Sequence, residues 1–159
     1  MVGNDNPYNT PEADLSSPTR EDAIAVYSPN QVSIGTFLAG PLAAVYFLHS
    51  NYMALQKQEL AARTIPLGVL FTIVLIALLP FVPEGFPNIV IPLAYGLAVK
   101  AIVDRTQFTT DDIEANPNYR RISTWKVAGI CVVALILFFI VMIPVLLILD
   151  GLGVVKILD

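Results

Sequence analysis

The chain has 159 residues, 55% of them hydrophobic and 14% charged, with a formal net charge of −4 and a mean hydropathy of +0.68. Soluble domains carry about 25% charged residues, so polar surface here is too scarce to cover this much apolar chain in water. The acidic balance leaves no basic patch for nucleic acid, and a single cysteine, Cys131, excludes an intrachain disulfide or a cysteine zinc cluster.

Residues 1–31 hold Pro7, Pro11, Pro18 and Pro29, and five of the thirteen acids: Asp5, Glu12, Asp14, Glu21 and Asp22. So polar a segment cannot bury enough surface to offset the entropy of ordering it, which predicts a disordered tail ahead of a membrane domain over 32–159. At most, Thr19-Arg20-Glu21-Asp22 would open one helical turn. No charged-then-apolar opening of the secretory kind is present, so insertion is expected to rely on an internal apolar segment.

Four apolar segments follow, which predict an all-α fold: a helical transmembrane bundle with spans at about 32–50, 64–82, 88–103 and 127–149. The second carries no charge over 19 residues and the fourth none over 23. As helices they would measure about 28 and 34 Å, against a hydrocarbon thickness of roughly 30 Å. The first is diluted by Ser33, Gly35, Thr36, Gly40 and Pro41, and the third contains Lys100, close enough to its end to snorkel. Pro83-Glu84-Gly85-Phe86-Pro87 reads as a turn between antiparallel helices. In the last loop Thr110 would cap a short helix stopped at Asn116-Pro117.

Seven of the nine cationic residues, Lys57, Arg63, Lys100, Arg105, Arg120, Arg121 and Lys126, fall on one side of such a bundle. The cation bias makes loops 51–63 and 104–126 cytoplasmic, and with four spans both termini are periplasmic. If segment one dips in and returns, three spans remain and the tail moves inside. Trp125, Lys126, Tyr52, His49, Lys100, Arg120 and Arg121 are placed as interfacial anchors.

Gly40-Pro41 within segment one predicts a kink whose freed carbonyl is satisfied by neighbours. Gly35, Ala39, Gly40 and Ala44 form a small-residue strip around Pro41, and Ala94 with Ala98 forms another in segment three. Such strips let helices approach closely. Pro41-Leu42-Ala43 and Pro92-Leu93-Ala94 also match, each with a tyrosine nearby, and two tandem helix–loop–helix units would account for that.

Polar residues are too sparse for an obvious chemistry. His49 has no acid in its segment and no second histidine, so a helix-end role outweighs a proton relay. Asp111, Asp112 and Glu114 lack the alternating ligands and central glycine of a calcium loop. There is no Gly-rich phosphate loop, Ser/His/Asp set or HExxH. No catalytic residue, metal or cofactor is expected.

The opening Asn6–Leu15, NPYNTPEADL, resembles the short NPYxxPxA leader of small bacterial membrane proteins. The stretch from Tyr27 to Gln56 is similar to the first span of one such family, with its Tyr-Ser-Pro, Gly-Pro-Leu-Ala and closing Asn-Tyr. The resemblance covers about the first third of the chain and implies a bacterial inner-membrane protein. The expected role is non-enzymatic: contact with the lipid bilayer and with other helices, of this chain or another membrane protein, as an accessory subunit or immunity-type protein. A small oligomeric channel or carrier is the alternative.

Overall fold

A computed structural model describes residues 23–83 and 85–154. Its elements in chain order are β1 (Ile24–Val26), α1 (Pro29–Ala39), α2 (Pro41–Ala54), α3 (Gln58–Leu78) with a 3-10 turn at Leu79–Phe81, α4 (Val90–Thr106), α5 (Thr110–Ala115), β2 (Tyr119–Arg121) and α6 (Thr124–Gly151). The leader at Asn6–Leu15 and the helical turn expected at 19–22 lie outside the described residues. Residues 23–31, expected in the tail, form β1 and the first turn of α1 instead, with Val26 and Tyr27 buried.

Among the described residues two helices are long and apolar enough to cross a membrane, Gln58–Phe81 and Thr124–Gly151. They correspond to the expected segments at 64–82 and 127–149. The other two segments correct the four-span expectation. Segment three is the 17-residue α4, which ends in Lys100, Asp104 and Arg105. Segment one is not a kinked span at all.

Segment one is a hairpin. α1 runs 11 residues, about 16 Å; the chain then turns at Gly40 and α2 runs back beside it. Gly35 and Phe47, one on each arm, are so close that a Cβ on Gly35 would lie 2.5 Å from the Phe47 ring. The rings of Tyr27 and Phe47 stand 4.8 Å apart. A continuous helix would separate positions 35 and 47 by about 18 Å. The turn needs glycine: Gly40 has φ 81 and ψ −174, a region closed to other residues. Pro41 then begins α2 at a position where its missing N–H costs nothing.

This geometry also removes the tandem repeat. Pro92 lies in the first turn of an unbroken α4, behind Ile91 in helical conformation, whereas Pro41 follows a glycine and starts a new helix. The two Pro-Leu-Ala matches therefore occupy different structures.

One end of the molecule is tied together. β1 and β2 pair in parallel, Ile24 opposite Tyr119 and Val26 opposite Arg121. Ser28 caps α1 in a capping box with Gln31, and Gln31 Nε2 donates to the Ile122 carbonyl at 2.7 Å. Tyr52 meets Thr106 Oγ1 at 2.9 Å, and Lys57 Nζ donates to the Thr106 carbonyl at 2.8 Å. The starts of α1, α3 and α6 and the ends of α2 and α4 therefore share one end. The buried core spans this cap and the hairpin, through Val26, Val32, Phe47, Val103 and Phe108.

α1 packs on α4, α2 on α3, and α6 lies behind them. Gly96 lets α4 approach the Ser33 carbonyl, which would stand 3.3 Å from an added Cβ. Gly68 does the same for α3, where a Cβ would overlap the Val45 side chain. Gly68→Ala is expected to cost about 1–3 kcal/mol through that overpacking. Most of the loss should return in Gly68→Ala/Val45→Ala, read as thermal midpoints in detergent.

α5 is capped one residue earlier than expected, by Thr109. Thr109 Oγ1 accepts from the Asp112 N–H at 3.2 Å, and the Asp112 carboxylate accepts from the Thr109 N–H at 2.7 Å. The backbone bond first, then the hydroxyl bond, holds the Asp112 carboxyl below its ordinary range. A depressed folded value means the cap contributes above the ordinary carboxylate pKa and is lost as pH falls through the folded value. Amide protection over 110–115, with the intrinsic pH dependence of exchange divided out, is expected to fall below about pH 4, and Asp112→Asn should flatten that dependence.

Candidate functional site

The hairpin tip is the feature that positions everything else. α1 ends at Gly40, whose N–H donates to the Thr36 carbonyl at 2.9 Å. Pro41 has no N–H for the Phe37 carbonyl. A carbonyl that loses its helical partner in this way needs another donor, from the protein or from water. The Phe138 ring of α6 covers Gly40 on one side.

Cavities lie on two sides of the tip. One, of about 370 Å³, sits between α2, α3 and α4, with Leu48, Tyr52, Leu67, Phe71 and Ile102 among its walls. The other, of about 380 Å³, lies toward the α3–α4 turn, between Leu75, Val82, Asn88 and Phe138. Pro41 and Tyr95 line both, so they form the partition. Thr36, in the wall of the first, has a fully buried hydroxyl with no hydrogen-bond partner among the described residues.

A second polar feature locks the hairpin's open end. Asn51 is fully buried and holds Tyr27 as a neighbouring strand would. The Tyr27 N–H donates to Asn51 Oδ1 at 2.8 Å, and Asn51 Nδ2 donates to the Tyr27 carbonyl at 2.9 Å. Asn51 Nδ2 also donates to Gln107 Oε1 at 2.9 Å, and Gln107 Nε2 to the Leu48 carbonyl at 3.3 Å. Asn51, Gln107 and Thr36 escaped the sequence reading. A lone amide at the close of an apolar run is the signal that could have found Asn51.

The small residues of segment one do pack closely, but within the hairpin. Gly35 faces Phe47 and Cys131, and Ala39, Pro41 and Ala44 are buried around the half-buried Gly40. Ala94 and Ala98 are exposed in the single chain, so the close packing expected of them is not made within it. Gly96 takes that role, since the face of α4 toward α1 carries Gly96, Val99 and Val103.

The expected anchors separate into three groups. Trp125, 87% exposed, and Lys126 and Arg120 stand at the surface. Lys100 pairs with Asp104 at 3.0 Å, and Arg121 with Glu114 at 2.9 Å. Tyr52 and His49 face inward: Tyr52 reaches Thr106, and His49 Nδ1 lies 3.0 Å from the Ala61 carbonyl, which requires the Nδ1 proton. Among the described residues no three His, Cys, Asp or Glu side chains stand close enough together to hold a metal ion. The walls of the first cavity are mostly apolar. The chain matches no family model, no curated protein and no solved structure.

Proposed function

We propose that the chain is an integral membrane protein with three crossings, α3, α4 and α6, and a re-entrant hairpin formed by α1 and α2. The observation that carries this reading is the exposure of its two most apolar helices. Only 11% and 6% of their most apolar stretches are covered by the rest of the chain. A core helix of a soluble protein is mostly covered, and a soluble monomer rarely leaves so much contiguous apolar surface bare. Lipid is the solvent that such all-round apolar helices suit.

The cation bias then sets the orientation. The tied end carries Lys57, Lys100, Arg105, Arg120, Arg121 and Lys126, so it faces the cytoplasm of a bacterial inner membrane. The amino end, paired through β1 to β2, lies on the same side, and the carboxyl end on the other. The expected role is contact without chemistry: an accessory or immunity-type protein whose α3 and α6 flanks meet lipid and other helices. Alkaline carbonate extraction tests the embedding. The protein should stay in the pellet, and release into the supernatant would refute the reading. Cross-linking in mild detergent tests the contacts, which require a self-associated or partnered species.

The broken hairpin favours a second reading, an oligomeric carrier or channel. Discontinuous helices with cavities on both sides of the break suit alternating access near the midplane. Proteoliposomes that hold a solute gradient, with the protein present and correctly inserted, would rule this out.

A further inference from the structure

The first cavity has a particular mouth. Leu67, Phe71 and Ile102 line it and are also exposed, so it opens between α3 and α4 onto the apolar flank. No charged side chain lines it. The hairpin stands between α3 and α4 and keeps them apart, which makes the opening a slot along both helices.

At the tied end of the slot stands a cation. Lys57, just before α3, reaches across to the carbonyl of Thr106, the last residue of α4, at 2.8 Å. The Thr106 hydroxyl in turn meets Tyr52, part of the cavity wall, at 2.9 Å. Lys57 is exposed, and among the described residues its ammonium bonds that neutral carbonyl and no carboxylate. An ammonium has three donors, so two are left for a further acceptor.

We infer that this slot is a binding site for an anionic phospholipid. The phosphate sits on Lys57, and one acyl chain lies along Leu67, Phe71 and Ile102. The inference rests on the membrane reading above. Two observations select this occupant: a charge-free concave wall at hydrocarbon depth, and an uncompensated cation at the level where the other basic side chains gather. The size falls within the range of ligand pockets, large enough for part of one chain and too small for a whole lipid. A zwitterionic lipid offers the same tail, but its own cation offsets the attraction of its phosphate for Lys57. A basic side chain near an anionic leaflet contributes about 1 kcal/mol, which is roughly fivefold in affinity.

Native mass spectrometry of the full chain, released from mild detergent with dioleoyl phosphatidylglycerol or dioleoyl phosphatidylcholine, tests this. One phosphatidylglycerol should be retained with roughly fivefold preference. Lys57→Gln should abolish the preference. Ala98→Phe, which fills the slot from an exposed position, should lower retention of both lipids. Arg120→Gln, an exposed cation on β2 outside the slot's lining, should change neither. Equal retention of the two lipids by the wild type would overturn the site while leaving the embedding intact, and solubility without detergent would instead overturn the embedding. A phosphatidylglycerol with a diazirine in its acyl chain gives a readout on the wild type alone. Labels concentrated on residues 67–71 and 98–102 support the slot. Labels spread over α3 and α6 in proportion to exposure overturn it.

Discussion

Asn51→Leu should be the most damaging polar substitution in the chain, at roughly 2–6 kcal/mol. Leucine fills the space but leaves the Tyr27 N–H and carbonyl buried without partners, at about 1–3 kcal/mol for each group. Gln107 can turn toward other acceptors, so its loss adds less. Asn51→Asp is expected to do little better: it keeps the acceptor for the Tyr27 N–H but sets a carboxylate against the Tyr27 carbonyl and Gln107 Oε1. Hydrogen exchange followed by mass spectrometry separates a local from a global effect. Peptides covering 23–31 should lose protection first, while α6 keeps its own. Wild-type protection at Tyr27 in Asn51→Leu would show that the amide does not hold the hairpin's open end.

Gly40→Ala should be the most damaging change at the tip, about 1–3 kcal/mol, through backbone conformation alone. Crowding is not the cause, because an added Cβ would meet the Phe138 ring at 3.6 Å, an ordinary contact. Gly40→Ala/Phe138→Ala should therefore recover nothing. Gly35→Ala is the opposite case. Its Cβ would lie 2.5 Å from the Phe47 ring, and trimming that ring in Phe47→Leu should recover part of the loss. The pair of double variants distinguishes strain from overpacking, with thermal midpoints in detergent as the readout.

The long helices were legible because their signal is local. Residues 64–82 and 127–149 are bare of charge, and nothing except a helix buries backbone polar groups in so apolar a run. The structure gives them as Gln58–Phe81 and Thr124–Gly151, with polar residues added at both amino ends and Asp150-Gly151 at the carboxyl end of the second. The break at Gly40-Pro41 was legible too, but the direction of the chain beyond it was not. Pro41 suits a kinked helix and a new helix equally well. The choice is made by the φ of Gly40 and by Asn51 closing on Tyr27, 24 residues away. Local composition carries neither.

The same limit applies to contacts within the single chain. Ala94 and Ala98 have the right spacing for a packing strip, yet the neighbour of α4 is α1, and Gly96 is the residue that meets it. A strip's spacing says that a helix can be approached, not from which side. β1 and β2 are three residues each and owe their pairing to each other, across the 92 residues of chain between Val26 and Tyr119. Tyr52 and His49 have anchor chemistry and sit at a helix end, but with α3 and α4 alongside they find internal acceptors before they find headgroups.

Sidedness of the two termini is the most direct test of the hairpin in its membrane setting. Single cysteines at Ser16, Ser123 and Val154, in a Cys131→Ala background, can be probed in spheroplasts with a membrane-impermeant maleimide. Three crossings with a re-entrant hairpin require Ser16→Cys and Ser123→Cys to be protected until the membrane is permeabilised, with Val154→Cys labelled from outside. Labelling of Ser16→Cys together with Val154→Cys, while Ser123→Cys stays protected, would mean that residues 32–50 run through the bilayer, which contradicts the re-entrant hairpin.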